Sequence, residues 1–265
     1  MYDSYNRRID YLRISVTDKC NLRCRYCLPE EGVPVRRHGE MLRHERIVEV
    51  VRAGVHLGLT KIRLTGGEPL VKRGIVELAA MIRCVPGVQH LAMTTNGTLL
   101  SALAAPLRRA GLDSLNVSLD TLDPQRYRYL TRWGELADAL AGVEAALREG
   151  FPLKINMVVL EDTTALEIER MRAFCREKGA RLQLINHFAL DRTKRQDYRF
   201  DRPPKCADCN KIRLLADGQL KPCLHSDLEI PLDPADIEGS LRRTILAKPA
   251  NGLVCTNRSM AQIGG

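Results

Sequence analysis

Two rhythms of apolar residues alternate along the first 190 positions of the chain. Short runs rich in Val, Ile and Leu are each followed by a longer stretch in which apolar residues return every third or fourth position, the signatures of a strand and of an amphipathic helix. "YLRISVT" (11–17) reads as a first strand, and "HERIVEVVRAGVHLG" (44–58) places Ile47, Val50, Val51 and Val55 on one helical face. Five further strands are predicted at "KIRLT" (61–65), "HLAMTTN" (90–96), "SLNVSLD" (114–120), "LKINMVV" (153–159) and "RLQLINHF" (181–188), with helices near 73–83, 98–110, 135–149 and 163–178 between them. Strands and helices alternating through short loops predict an α/β fold with a parallel sheet and right-handed crossovers. Six such units predict a partial (β/α)6 barrel of the TIM type. Any site is then expected where strands end, at 17–27, 65–69, 94–97, 118–120 and 157–159.

Past residue 190 the alternation stops. "DRTKRQDYRFDRPPK" is polar and basic and reads as a linker or lid, and "NKIRLLADGQLKPCLH" reads as a hairpin about Asp217-Gly218, a dipeptide suited to a tight turn. The expected division is a barrel over 1–190 and a small module over 191–265.

Composition narrows the class. With 45% hydrophobic and 28% charged residues, the chain has the make-up of a soluble globular protein. No window approaches the roughly 18 consecutive apolar residues of a membrane span, and "MYDSYNRRID" lacks the apolar core of a signal peptide, so a cytoplasmic location is expected. Lys and Arg number 41 against 32 Asp and Glu, a net charge of +9, which favours anionic partners such as nucleotides or phosphorylated metabolites. With four Phe and one Trp to interleave with the basic residues, a nucleic-acid groove gains no specific support.

The nine cysteines change the picture most. In a chain without an export signal they argue for reduced thiols or metal ligands rather than disulfides. Cys20, Cys24 and Cys27 form one set and Cys206, Cys209 and Cys223 another, while Cys84, Cys175 and Cys255 stand apart and read as small apolar residues. Structural zinc sites use four protein ligands, usually in paired C-x2-C knuckles. The first set has C-x3-C-x2-C spacing and no conveniently placed fourth ligand. Three thiolates on one loop can instead hold three irons of a 4Fe–4S cluster and leave the fourth iron open as a reaction site. The second set, C-x2-C-x13-C, also falls one short of zinc's usual four, although Cys175, Cys255 or His225 could complete a zinc site there.

The C-x3-C-x2-C spacing, with the aromatic Tyr26 just before the third Cys, resembles the signature of the radical S-adenosylmethionine (SAM) enzymes. In that superfamily the open iron chelates SAM, and an electron from the cluster cleaves it to a 5′-deoxyadenosyl radical. The resemblance implies that Tyr26 lies near the SAM adenine, that Gly66, Gly67 and Glu68 of "LTGGEPL" form the glycine-rich SAM motif, and that Ser118 contacts SAM. The whole chain resembles the MoaA family, the GTP 3′,8-cyclases of molybdenum cofactor biosynthesis, in "RRIDYLRISVTDKCNLRCRYCLPEEG", "KIRLTGGEPL", "MTTNG", "NVSLD", "CADCNKIRLLADGQLKPCL" and the terminal "RSMAQIGG". That implies a second 4Fe–4S cluster on Cys206, Cys209 and Cys223, whose open iron faces the substrate purine. It also implies substrate contacts from Arg13, Arg63, Thr94, Lys154, Lys211 and Arg213, with Arg13, Lys211 and Arg213 nearest the chemistry. A low-potential electron donor such as a ferredoxin or flavodoxin is implied as partner, and the Gly264-Gly265 tail is expected to reach the active site.

Four departures stand out against that family. Only about 17 residues separate the sixth predicted strand from Cys206, where the family usually carries several tens more. After the sixth strand the family has an acidic residue and a methionine beside SAM; here Asn186 and Phe188 occupy the segment, with Phe188 the implied SAM contact. Lys211 replaces an arginine and so loses bidentate recognition. The stretch "KPANGLVCTNRSM" lacks the family's histidine. The remaining alternatives are a paralogue acting on another anionic small molecule, a peptide-modifying enzyme, and a non-catalytic two-cluster electron carrier.

Overall fold

The computed structural model describes residues 1–33 and 38–264. Among these, one nine-stranded sheet runs β6-β5-β4-β3-β2-β1-β7-β8-β9, built from β1 (Tyr11–Ser15), β2 (Lys61–Thr65), β3 (His90–Thr95), β4 (Ser114–Ser118), β5 (Leu153–Val159), β6 (Arg181–Asn186), β7 (Lys211–Leu214), β8 (Gln219–Lys221) and β9 (Ile230–Pro231). The first seven strands pair with one another in parallel, while β8 is antiparallel to β7 and β9 to β8. The helices are α1 (His44–His56), α2 (Ile75–Arg83), α3 (Leu100–Arg109), α4 (Pro124–Thr131), α5 (Leu136–Arg148), α6 (Ala165–Lys178), α7 (Ile237–Leu246) and α8 (Met260–Ile263). The six-unit βα order expected from the apolar rhythm is present, as a parallel-dominated partial barrel.

Alternate strand residues explain both the core and the site. Leu12 and Ile14, Ile62 and Leu64, Leu91 and Met93, Leu115 and Val117, Ile155 and Met157 are all fully buried. They form one core with helix residues such as Val50, Leu78, Leu107 and Val143. Because side chains alternate across a strand, the residues between them turn to the opposite face. There Arg13, Arg63, Asn116 and Lys154 line a cavity instead of the apolar layers that fill a complete barrel.

The chain after 190 continues this sheet. β7 pairs in parallel with β1, Arg13 facing Arg63 on one side and Arg213 on the other, and Ile212, Leu214, Leu220, Leu241 and Ile245 belong to the main core. The Asp217-Gly218 hairpin forms as expected, joining β7 to β8. Among the described residues, α4, α7 and α8 go beyond the apolar rhythm. α4 begins at Asp123, whose carboxylate accepts from the Arg126 amide, followed by Pro124, and α7 begins at Asp236, whose carboxylate accepts from the Gly239 amide. Both are announced by their caps, since "PQRYRYLT" buries only Tyr127, Leu130 and Thr131.

Candidate functional site

The loop carrying Cys20, Cys24 and Cys27 leaves the end of β1 and is fastened to the end of β2. The Gly67 amide donates to the Thr17 carbonyl at 2.8 Å and the Glu68 amide to the Lys19 carbonyl at 2.9 Å. A Cβ on Gly66 would stand 2.4 Å from Thr17 O, and one on Gly67 2.3 Å from Lys19 O. Both glycines are therefore required by the close approach of two backbones. Glu68, 1% exposed, accepts from Leu70 N at 3.0 Å, Thr95 Oγ1 at 2.6 Å and Asn96 N at 2.7 Å. Burial lifts its carboxyl to about 7 against those hydrogen bonds. The far side of the loop rests on the end of α4, where Thr131 O and Leu130 O accept from the Arg23 and Arg25 amides.

Burial raises all three thiols, with Asp120 and the neighbouring thiols adding to it at Cys24 and Cys27, and Cys27 reaches about 12. Such thiols give up their protons only to a strong compensating positive charge, which fits a metal cluster. The Tyr26 phenol donates to Asp120 Oδ2 at 2.6 Å, and Asp120 Oδ1 accepts from Val158 N at 2.8 Å. Burial raises Asp120 to about 6. Asp120 was not singled out in the sequence, where it is only the last letter of "NVSLD". Ser118 closes β4 opposite Asn156 of β5. Tyr26, Cys27 and Phe188 line one side of a cavity that Ser259 and Met260 of the C-terminal segment close.

Cys206, Cys209 and Cys223 lie across the barrel mouth in a different setting. The Gly252 amide donates to Cys206 Sγ at 3.3 Å, Gln196 Nε2 at 3.2 Å and Lys194 Nζ at 3.4 Å. Burial alone would raise this thiol, but those donors outweigh it and hold it below its ordinary value. At Cys209 burial is likewise overcome, by the charges of Lys248 and Lys211. Cys223 stays raised by burial, with Lys248 opposing. A Cβ on Gly252 would come within 3.2 Å of Cys223 Sγ, so glycine leaves the space around that sulfur open. Of the three candidates for a fourth ligand, Cys175 is buried in the main core, Cys255 packs with Leu215 and Ile263, and His225 lies beside the set with its ring 5.2 Å from that of Phe188. Among the described residues no three His, Cys, Asp or Glu side chains close around a point as they do about a single ion; three thiols sharing several irons are not required to.

The second set opens on a cavity of about 320 Å³. Arg13, Arg63, Thr94, Lys154, Lys211 and Arg213, expected together from the sequence, all line it, and Phe188 borders both this cavity and the one at Tyr26. Arg7, Lys194, Arg202 and Lys248 add further positive charge, while no Asp or Glu lines it among the described residues. Burial, then Arg213 and Arg63, lower Arg13 to about 9, so it remains cationic at neutral pH. Burial and Arg13 also push Lys211 down, with Cys209 opposing. Arg63 donates to Thr94 Oγ1 at 3.1 Å and to the Tyr11 hydroxyl, and Lys211 Nζ lies 5.6 Å from the centre of the Tyr11 ring.

The C-terminal segment reaches this place. Arg258 pairs with Asp217 at 2.7 Å and Glu229 at 2.6 Å, and Gly264 O accepts from Arg13 at 3.1 Å and Arg213 at 2.6 Å. A Cβ on Gly264 would meet Thr65 Cγ2 at 2.6 Å; Gly265 lies outside the described residues. Asn186 fastens the short segment after β6: its Nδ2 donates to Phe200 O at 2.9 Å and Arg202 O at 2.5 Å, and its Oδ1 accepts from Phe200 N at 3.2 Å. A carboxylate there could accept but not donate, which accounts for the amide at this position.

The model of the radical SAM superfamily matches residues 14–175. The chain is 38% identical, over 320 aligned positions covering all of both chains, to a GTP 3′,8-cyclase of Alkaliphilus oremlandii. It is 40% identical over 288 positions to a GTP 3′,8-cyclase of Peptoclostridium acidaminophilum, covering 92% of this chain and 87% of that one. Its 265 residues are thus spread over an alignment considerably longer than the chain, in keeping with the short linker. Among solved structures, Streptococcus suis SuiB bound to S-adenosylmethionine superposes with a TM-score of 0.70 at 15% identity, covering 93% of this chain and 66% of that one. Native anSMEcpe with bound AdoMet gives 0.67 at 17%, covering 91% and 81%. At these identities the structural likeness speaks for the fold.

Proposed function

The chain belongs to the radical SAM superfamily and, within it, to the family of GTP 3′,8-cyclases, and from that premise we propose that it converts GTP to the 3′,8-cyclised nucleotide of molybdopterin precursor synthesis. The observation that carries the substrate assignment is the cavity beside the second cysteine set, lined by many Lys and Arg and, among the described residues, by no carboxylate. A triphosphate relieves the mutual repulsion of such groups, and guanidinium forks grip its oxygens two at a time.

In this reading Cys20, Cys24 and Cys27 hold the cluster that binds SAM, and Cys206, Cys209 and Cys223 hold a second cluster. Together with SAM the first cluster supplies a hydrogen-abstracting radical for the ribose 3′ position. The protein's own part is placement and exclusion of water. Glu68, already fixed by three donors, offers its remaining lone pairs to the SAM ammonium. Tyr26, Ser118 and Phe188 border the adenosyl group, with Gly66 and Gly67 shaping the turn beneath it. Arg13, Arg63, Thr94 and Lys154 orient GTP, and Lys211 and Arg213 hold it against the second cluster. The Gly264 carbonyl accepts from Arg13 and Arg213, tying the tail to the same two cations. Turnover draws electrons from a low-potential carrier such as a ferredoxin or flavodoxin. Among the described residues no helix is long and apolar enough to cross a membrane, and we place the reaction in the cytoplasm.

The test is anaerobic turnover of the cluster-reconstituted protein with SAM and dithionite, with and without GTP, following 5′-deoxyadenosine and cyclised nucleotide by mass spectrometry. GTP-dependent cyclised product is expected. Deoxyadenosine with no nucleotide product would reject GTP as substrate.

A further inference from the structure

The short segment between β6 and Cys206 delivers two side chains to one sulfur. Gln196 brackets Cys206: its Oε1 accepts from the Cys206 amide at 3.0 Å while its Nε2 donates to Cys206 Sγ at 3.2 Å. Lys194 reaches the same sulfur at 3.4 Å and also donates to the Pro204 carbonyl. Its own amide is pinned to Leu253 O at 3.1 Å, which keeps the stem in place. The Gly252 amide completes three N–H donors on Cys206 Sγ. Hydrogen bonds and positive charge at a ligand sulfur favour the more negative, reduced state of an iron–sulfur cluster, and so raise its potential.

We propose that Lys194 and Gln196 are positioning residues of the second cluster, which hold the Cys206 thiolate and raise that cluster's reduction potential. The inference rests on the reading that Cys206, Cys209 and Cys223 carry a cluster. It gives the short linker a task that a mere loss of covering residues would not.

The experiment is a redox titration of the full-length holoprotein followed by electron paramagnetic resonance, with iron and sulfide counted. The wave that responds to SAM belongs to the first cluster, and the other to the second. Lys194→Met keeps the stem and removes the ammonium, and Gln196→Leu removes the amide. Both are expected to move the second wave to lower potential and leave the first in place. For Lys194→Met the expected change is about tenfold in the oxidised-to-reduced ratio at fixed potential, about 59 mV for a one-electron couple. Lys194→Arg is expected to stay near wild type. A second wave unmoved in both variants, with both clusters retained by iron count, overturns the proposal. If Lys194→Met does not assemble the second cluster, Lys194→Gln, which keeps a donor and drops the charge, decides by the same wave. Iron for a single cluster in the wild type would instead sink the two-cluster reading and leave the first wave to report it.

Discussion

Cys20, Cys24 and Cys27 sit on a loop packed against the buried carboxyl groups of Glu68 and Asp120, whereas Cys206, Cys209 and Cys223 sit among Lys194, Lys211, Lys248 and Arg213. The ligands are chemically identical, and their acidities diverge. Burial carries Cys27 up to about 12 and Cys24 well above its ordinary value, while nearby cations and N–H donors bring Cys206 and Cys209, though not Cys223, down in spite of burial. The spacing of cysteines thus tells how many ligands a site has, and the residues around them tell what the site does with an electron. A cluster in the first setting should be the harder to reduce, as the cleavage of SAM requires, and one in the second the easier.

The largest effect is expected from removing a cysteine on either side. Cys24→Ala is expected to abolish deoxyadenosine formation, and Cys223→Ala to leave uncoupled SAM cleavage while losing the cyclised nucleotide. If both variants still made product, the division of labour between the two sites would be wrong. The next tests the cationic side alone. Arg202 lines the cationic cavity near Lys154 and Lys211, whose ammonium groups it helps to push down in pKa. Arg202→Ala is expected to raise the KM for GTP about tenfold, ~1.4 kcal/mol of binding, with kcat nearly unchanged because the contact persists from ground state to transition state. Guanosine binding should not respond. An unchanged KM for GTP would remove Arg202 from the anion site. A smaller effect is expected on the acidic side: Asp120→Asn takes away a negative charge facing the first thiols and should lift the potential of the first cluster alone, because the charge around a metal site tunes its redox potential. A shift of the second wave instead would mean the two settings are not electrically separate.

Much of this was legible beforehand, for physical reasons that can be named. The strand at 61–65 and the strand at 153–159 fall where the apolar runs put them, because a strand buried against helices must keep one face apolar. The six candidate ligand cysteines stand out by spacing, and six cavity residues came from matching positions in a known family. What the one-dimensional pattern concealed was lateral. "LRI" at 12–14, "IRL" at 62–64 and "IRL" at 212–214 each set one arginine between two aliphatic residues, and only the pairing of β7 with β1 and of β1 with β2 lays Arg213, Arg13 and Arg63 side by side. The role of Asn186 was concealed for a similar reason, since its amide is matched to Phe200 and Arg202, more than a dozen residues on. Asp120 became significant only when folding brought Tyr26 to it.

The smallest expected effect falls on α4, which the apolar rhythm did not announce, and it separates the two sites by mechanics rather than charge. Asp123 Oδ1 accepts from the Arg126 amide at 2.7 Å, and the other end of the helix offers Leu130 O and Thr131 O to the amides of Arg25 and Arg23. Removing the cap by Asp123→Ala should cost ~1 kcal/mol, seen as a melting temperature lower by about 2–4 °C. The strain is felt where the helix ends, on the first cysteine loop, whereas the second set is held by Gly252, Gln196 and Lys194 and has no backbone bond to α4 among the described residues. Under a chelator the variant should therefore release the iron of the first cluster sooner than wild type and that of the second at an unchanged rate. Equal acceleration at both sites would show that the cap acts on the fold as a whole, and that the two cysteine sets differ in charge but not in their mechanical support.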